Sequence, residues 1–198
     1  MRIIAGTFRG RTLKAPKGEG TRPTTDRVRE SMMSALFSAR GGFEGARVLD
    51  AFAGSGALGL EALSRGAASA QFFERDGAAH KALCDNVRAI GLTSREARVH
   101  KADVLAAPPA HARPPFDLVL LDPPYAYPAA DVLGMVARLS AGGALDDDAI
   151  VVYEHDAADC AAVDEAAHVA GFSLAQRKKY GDTVVDMLRP CAPDASAR

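Results

Sequence analysis

The chain of 198 residues contains no tryptophan and only three cysteines. Cys84, Cys160 and Cys191 are odd in number, far apart and outside any Cys-x-x-Cys spacing. That excludes a disulfide framework and a zinc site, and predicts reduced thiols in a cytoplasmic protein. The five histidines are scattered too, so no metal is expected. No apolar run reaches the roughly 20 residues that cross a membrane. Met1-Arg2-Ile3-Ile4-Ala5-Gly6 is too short and too soon polar for a signal peptide. No long apolar stripe demands a partner copy, so a monomer is expected.

Neither sign of charge dominates, since the net charge is −1, and a uniformly basic nucleic-acid binder is excluded. The distribution is uneven, however. Residues 1–30 hold eight basic groups (Arg2, Arg9, Arg11, Lys14, Lys17, Arg22, Arg27, Arg29) against three acids (Glu19, Asp26, Glu30), which leaves −6 for the remainder. A segregated basic end is what a phosphate backbone selects.

The head, residues 2–16, reads as a short hairpin of Arg2–Ala5 with Arg11–Lys14. A Gly/Pro loop at 16–23 follows, and Thr24, Thr25 or Asp26 can cap a helix over 26–38. Val28, Met32, Ala35 and Leu36 give that helix its apolar face. Strands then alternate with helices: strands at 47–52, 70–74, 98–102, 116–122 and 149–154, helices at 56–65, 76–90, 129–140 and 157–170. The Ala/Pro stretch 105–115 reads as a surface connection. Strands at 172–179 and 183–188 flank Gly181-Asp182, a tight hairpin signal.

This pattern predicts an α/β fold: a doubly wound, seven-stranded, mostly parallel sheet with a small N-terminal hairpin and helix extension. Residues 1–40 form the basic extension, 41–190 the sheet domain and 191–198 a frayed tail. With the order 3-2-1-4-5, strands one and four lie side by side at the switch point, where ligands bind.

Two turns meet there. Asp50-Ala51-Phe52-Ala53-Gly54-Ser55-Gly56 joins the first strand to a helix whose N-terminus offers unpaired N–H groups. Glu74 ends the second strand at the spacing that suits a carboxylate on ribose hydroxyls, and Asp103 follows the third, where it can read an adenine amine. The turn is not a Walker phosphate loop. A nucleoside with a carboxylate at its far end, S-adenosylmethionine, fits better.

The second turn, Asp122-Pro123-Pro124-Tyr125, follows the apolar run Phe116–Leu121. Two prolines end the strand and hold an acid and an aromatic ring on a stiff turn. The Asp122 carboxylate and the Pro123 carbonyl suit the hydrogens of a ring-conjugated amine, orienting its nitrogen toward a methyl donor. Tyr125 suits stacking on the base, worth about 1–3 kcal/mol. Neither a covalent nucleophile nor a metal is required.

Asp50–Gly56 together with Asp122–Tyr125 resembles the class I S-adenosylmethionine-dependent amino-methyltransferases and their Rossmann-like fold. The blocks Arg2–Gly6, Arg9-Gly10-Arg11, Arg22-Pro23-Thr24-Thr25-Asp26-Arg27-Val28-Arg29-Glu30 and Asp50–Ala62 are similar to the bacterial 16S rRNA guanine-N2 methyltransferase D family, over residues 1–190. Met32-Met33 and the 105–115 connection depart from its pattern. The resemblance implies methylation of the exocyclic N2 of one guanine (966 in the family's naming) in 16S rRNA, on the 30S subunit or an assembly intermediate, with S-adenosylhomocysteine as product. It implies cofactor binding by Asp50, Phe52, Ala53, Gly54, Ser55, Gly56, Glu74 and Asp103, catalysis by Asp122, Pro123, Pro124 and Tyr125, and RNA contacts from Arg9, Arg11, Lys14, Arg22, Thr24 and Arg27. Adenine N6 in DNA or RNA, a protein amide, and a non-catalytic RNA assembly role are the alternatives. Asp rather than Asn at 122 and the lack of an added DNA-recognition domain lean against the first two.

Overall fold

The computed structural model describes residues 1–15 and 26–191. Helix α1 (Asp26–Arg40) precedes an alternation of β1 (Arg47–Asp50), α2 (Ala57–Ser64), β2 (Ser69–Phe73), α3 (Gly77–Ile90), β3 (Ala97–His100), β4 (Phe116–Leu121), α4 (Ala129–Ala141) and β5 (Leu145–Asp156). A short 3-10 turn leads into α5 (Cys160–Val169), and β6 (Phe172–Tyr180) and β7 (Thr183–Pro190) close the chain. The seven strands form one sheet in the order β3-β2-β1-β4-β5-β7-β6. The first five pair in parallel, and β7 enters antiparallel between β5 and β6. The α/β doubly wound sheet is the fold expected from the alternation.

Period-2 alternation explains the layers. Along β4, Leu118 and Leu120 face one way and Val119 and Leu121 the other, all at most 1% exposed. The first pair packs with Met32, Met33 and Leu36 of α1 and with Leu60 and Leu83 of α2 and α3. The second packs with Val132, Val136 and Leu139 of α4 and Val163 of α5. Each such burial stabilises the fold by about 1.5–3 kcal/mol. The departures at Met32-Met33 are therefore core residues, at 1% and 0% exposure. Among the described residues no helix is long and apolar enough to cross a membrane.

Two elements differ in extent from the expectation. The N-terminal hairpin is short: around the antiparallel bridge of Arg2 and Thr12 the Ile3 N–H donates to the Arg11 carbonyl (3.0 Å) and the Leu13 N–H to that of Met1 (3.0 Å), and the pairing stops there because the amides of Ile4 and Ala5 donate to the Glu61 carboxylate (2.7 and 3.0 Å). Strand β5 is longer than 149–154, beginning at Leu145. Its Asp146-Asp147-Asp148 start looks unlike a strand. Arg47 at 3.3 Å from Asp146 and Arg189, which donates to the Asp148 carbonyl at 2.6 Å, hold it in place. The loop 16–23, the caps Thr24 and Thr25, and residues 192–198 of the tail lie outside the described residues.

Candidate active site at the carboxyl edge of the sheet

Register brings the two turns together. Asp50 pairs with Leu120 across β1 and β4, so the chain leaving β1 and the chain leaving β4 emerge side by side. The Ala51 N–H still donates to the Leu120 carbonyl (3.1 Å), and the Ala53 N–H reaches back to Phe73 at the end of β2 (3.0 Å). The glycine turn is thus stitched to both neighbours.

Gly54 and Gly56 adopt left-handed φ of 54° and 83°, which glycine alone enters at little cost. Their surroundings differ. A Cβ on Gly56 would collide with the Leu83 side chain, whereas nothing lies within 4 Å of one on Gly54. Gly56 therefore allows close packing of the turn on α3, and Gly54 leaves its backbone facing open space. Helix α2 starts at Ala57 without a side-chain cap at Gly56; Asp50 takes the Gly59 N–H, which leaves the N–H groups of Ala57 and Leu58 as donors for an anion.

Three carboxylates line this edge. Asp50 is 2% exposed and accepts from the Gly59 N–H at 2.9 Å. Burial pushes its carboxyl up from 3.8 to about 7, the Gly59 hydrogen bond opposes this, and the nearby charges of Asp122 and Glu74 add to it. Glu74 accepts from the Gly54 N–H (2.8 Å) and the Asp76 N–H (2.6 Å). One hydrogen bond per oxygen leaves lone pairs for further donors. Asp103 accepts from the Leu105 N–H (2.9 Å) and pairs with Arg75 (3.3 Å). Arg75 also lies over the Tyr127 ring at 5.1 Å, and Tyr127 meets Phe52 at 6.0 Å. These contacts tie the ends of β2, β3 and β4 into one wall. Among the described residues no group of three or more His, Cys, Asp or Glu is placed to hold a metal ion.

At the second turn, Pro123 is buried while Pro124 and Tyr125 are exposed. The Tyr125 hydroxyl lies 3.3 Å from the Thr183 hydroxyl at the start of β7. An exposed ring tethered at its far end keeps one orientation.

The head packs on the same half of the molecule. Ile3 and Leu13 are core residues, and Ser64 of α2 joins the Phe8 N–H and the Ala5 carbonyl. Arg9, Arg11, Lys14 and Arg27 are exposed, with Lys14 Nζ 3.0 Å from Asp85. Arg22 and Thr24 lie outside the described residues.

Sequence reasoning missed Asn86. This residue of α3, 2% exposed, accepts from the Lys14 N–H (2.8 Å) and donates to the carbonyls of Lys14 (3.0 Å) and Ser55 (2.9 Å). One amide thereby joins the basic head to the glycine turn. The available signal was a polar residue three positions after Leu83 on an otherwise apolar face. Glu61 gives the same signal as a lone charge within the apolar α2, and Arg65 answers it at 2.8 Å.

Five parallel strands, a seventh strand inserted antiparallel before the sixth, and a glycine turn at the end of β1 define the class: a Rossmann-like methyltransferase. Comparison with known proteins narrows it. The model of the family described as Conserved hypothetical protein 95 matches residues 1–189. Ribosomal RNA small subunit methyltransferase D of Escherichia coli K12 is 39% identical over 156 residues, covering 79% of this chain and 75% of its own. YlbH of Bacillus subtilis, provisionally named an rRNA methyltransferase, is 37% identical over 191 residues, covering 96% of this chain and 98% of its own. Among solved structures, yhhF of Escherichia coli, provisionally described as a methyltransferase, has a TM-score of 0.77 at 33% identity and covers 98% of this chain and 99% of its own. The chain belongs to the small-subunit ribosomal RNA methyltransferase D family.

Proposed function

We propose that this protein transfers a methyl group from S-adenosylmethionine to the exocyclic N2 of a guanine in 16S rRNA, guanine 966 in the family's naming. The observation that carries the reading is the side-by-side emergence of the Gly54–Gly56 turn and the Asp122–Tyr125 turn at the carboxyl edge of β1 and β4. The kinship with named rRNA methyltransferases supplies the substrate class.

The donor set suits this cofactor. Gly54 faces open space, where a Cβ would meet a ligand. When bound, the cofactor supplies an electrophilic methyl on a sulfonium. Glu74 keeps acceptor capacity for ribose hydroxyls, Asp103 stands at the adenine end, and the N-terminus of α2 attracts the cofactor's carboxylate. Phe52, Ala53 and Ser55 complete the turn. The Asp122 carboxylate and the Pro123 carbonyl accept the amine hydrogens, which aims the nitrogen and stabilises the charge that builds on it. Pro124 stiffens the turn, and Tyr125 takes the base face.

N2 lies on the pairing edge of guanine, so the target base must be unpaired or flipped out to reach Asp122. Arg9, Arg11, Lys14 and Arg27, with Arg22 and Thr24 of the preceding loop, position phosphates without reading sequence. The test is transfer of a radiolabelled methyl to 30S subunits lacking their own modification, followed by mapping of the labelled nucleotide. Label on N2 of one loop guanine is expected. Asp122→Ala is expected to lose transfer by about 100-fold or more with cofactor affinity retained, and full activity in that variant would refute the amine-clamp role.

A further inference from the structure

Strand β6 is outermost and carries three consecutive basic residues, Arg177-Lys178-Lys179. These are not equivalent. Arg177 is taken up by Asp186 (2.7 Å) and Asp164 (2.7 Å). Lys178 and Lys179 form no ion pair with the described residues, and Lys179 is exposed while Lys178 is half-buried.

Their position relative to the candidate site is well defined. Lys178 stands opposite Val185, and Lys179 opposite Val184. Directly opposed side chains share a face, and Val185 belongs to the core on the α1 side. Lys178 therefore rises on the same side as Tyr180, whose hydroxyl lies 2.6 Å from the Ser31 hydroxyl of α1. Ser31 is one helical turn beyond the exposed Arg27. Lys179 leaves from the other side. Tyr180 in turn pairs with Thr183, the residue that holds the Tyr125 hydroxyl at 3.3 Å. The turn between β6 and β7 is pinned because the Ala157 N–H donates to the Asp182 carbonyl at 2.8 Å. Nearby acids are Asp182 in the turn and Asp156 opposite Thr183, the latter accepting from the Ala158 N–H.

The hairpin tip is thus hydrogen-bonded at one end to the helix that carries Arg27 and at the other to the ring proposed to stack on the target base. Presenting an unstacked base costs a few kcal/mol. Phosphate contacts on the neighbouring nucleotides offset that cost, and they must come from cations close to the stacking ring. Lys178 and Lys179 lie within about two residue spacings (~7 Å along the strand) of the Tyr180–Thr183 pair.

We propose that the tip of the β6–β7 hairpin is a second RNA-backbone contact, in which Lys178 and Lys179 bind phosphates beside the base held by Tyr125. This inference rests on the rRNA reading of the site. It makes the RNA surface continuous from the head, across α1, to the edge strand.

The experiment measures binding of a fluorescent single-stranded RNA to the full chain over a range of potassium chloride concentrations. The double variant Lys178→Gln, Lys179→Gln keeps most of each stem and removes the charge. Each phosphate contact on a single strand contributes about 0.7 to the slope of log K against log salt, so the slope should fall by about 1.4. Cofactor affinity serves as the check on folding. Lys178→Arg with Lys179→Arg keeps the charge and should restore the wild-type slope. Arg11→Ala is measured in parallel. If Arg11→Ala flattens the slope and the glutamine pair does not, the hairpin inference is overturned and the RNA reading stands. If neither does and no methyl reaches RNA, both fall. A flattened slope in the arginine pair would also overturn it, because the charge would not then be what binds.

Discussion

Replacing Asp50 by asparagine keeps the shape of a buried side chain and removes its proton equilibrium. Asp50 is 2% exposed, and its carboxyl is pushed from 3.8 to about 7, by burial first and by the charges of Asp122 and Glu74 besides. Folded protein therefore holds this proton up to about pH 7, while the unfolded chain releases it near pH 4. Between those values the unfolded state binds fewer protons, so stability falls as pH rises, by about 1.4 kcal/mol per unit. The contribution is complete below pH 4 and lost above pH 7, on the order of 4 kcal/mol in all. Asparagine can still accept from the Gly59 N–H and does not titrate. The difference in stability between Asp50→Asn and the parent should move in the variant's favour by about 3 kcal/mol between pH 5 and pH 7.5. Titrating groups remote from Asp50 cancel in that difference. Urea unfolding followed by circular dichroism at several pH values measures it, and the relative midpoint should shift by about 1 M or more. A difference that stays constant within about 0.5 kcal/mol across this range would refute the buried protonated carboxyl.

Other substitutions test different parts of the molecule. Asn86→Ala removes three hydrogen bonds, to both backbone groups of Lys14 and to the Ser55 carbonyl, at about 1 kcal/mol each. It should lower stability by about 3 kcal/mol and weaken both cofactor and RNA binding in calorimetric titration. A variant that weakens neither would show that this amide does not join the two. Asp186 is fully buried, and although burial pushes its carboxyl up, hydrogen bonds from Arg177 and His155 outweigh this and hold it below the usual range. Asp186→Ala leaves the buried His155 Nε2 without its partner and takes from Arg177 one of its two carboxylates, and should cost about 3 kcal/mol in chemical unfolding. A loss under about 1 kcal/mol would mean that the two bases find water instead.

Much of the fold was legible because it is written in short-range patterns. The strand through Phe116–Leu121 shows as an unbroken apolar run, α3 as Ala79, Leu83, Val87 and Ile90 in phase, and the last turn as Gly181-Asp182. The right-handed crossover rule puts helices on both faces, and with the common strand order 3-2-1-4-5 the two turns at Asp50–Gly56 and Asp122–Tyr125 face one crevice. What escaped was set by partners far along the chain. The amides of residues 4 and 5 pair with Glu61, some 57 and 56 positions on, which ends the hairpin sooner than its alternation implies. The acidic start of β5 is held by Arg47 and Arg189, which no local propensity reflects.

From the sequence alone come the class of fold, the glycine turn, the Asp-Pro-Pro-Tyr turn and the separation of basic charge into one end. These depend on periodicity, on proline and glycine stereochemistry, and on simple counting. Only the tertiary structure decided that Asp50 is a buried acid near neutral pKa, that Asn86 binds the head to the glycine turn, and that Thr183 tethers Tyr125 from 58 positions away. Desolvation and hydrogen bonding depend on which atoms surround a group in space, and a residue's sequence neighbours supply few of them.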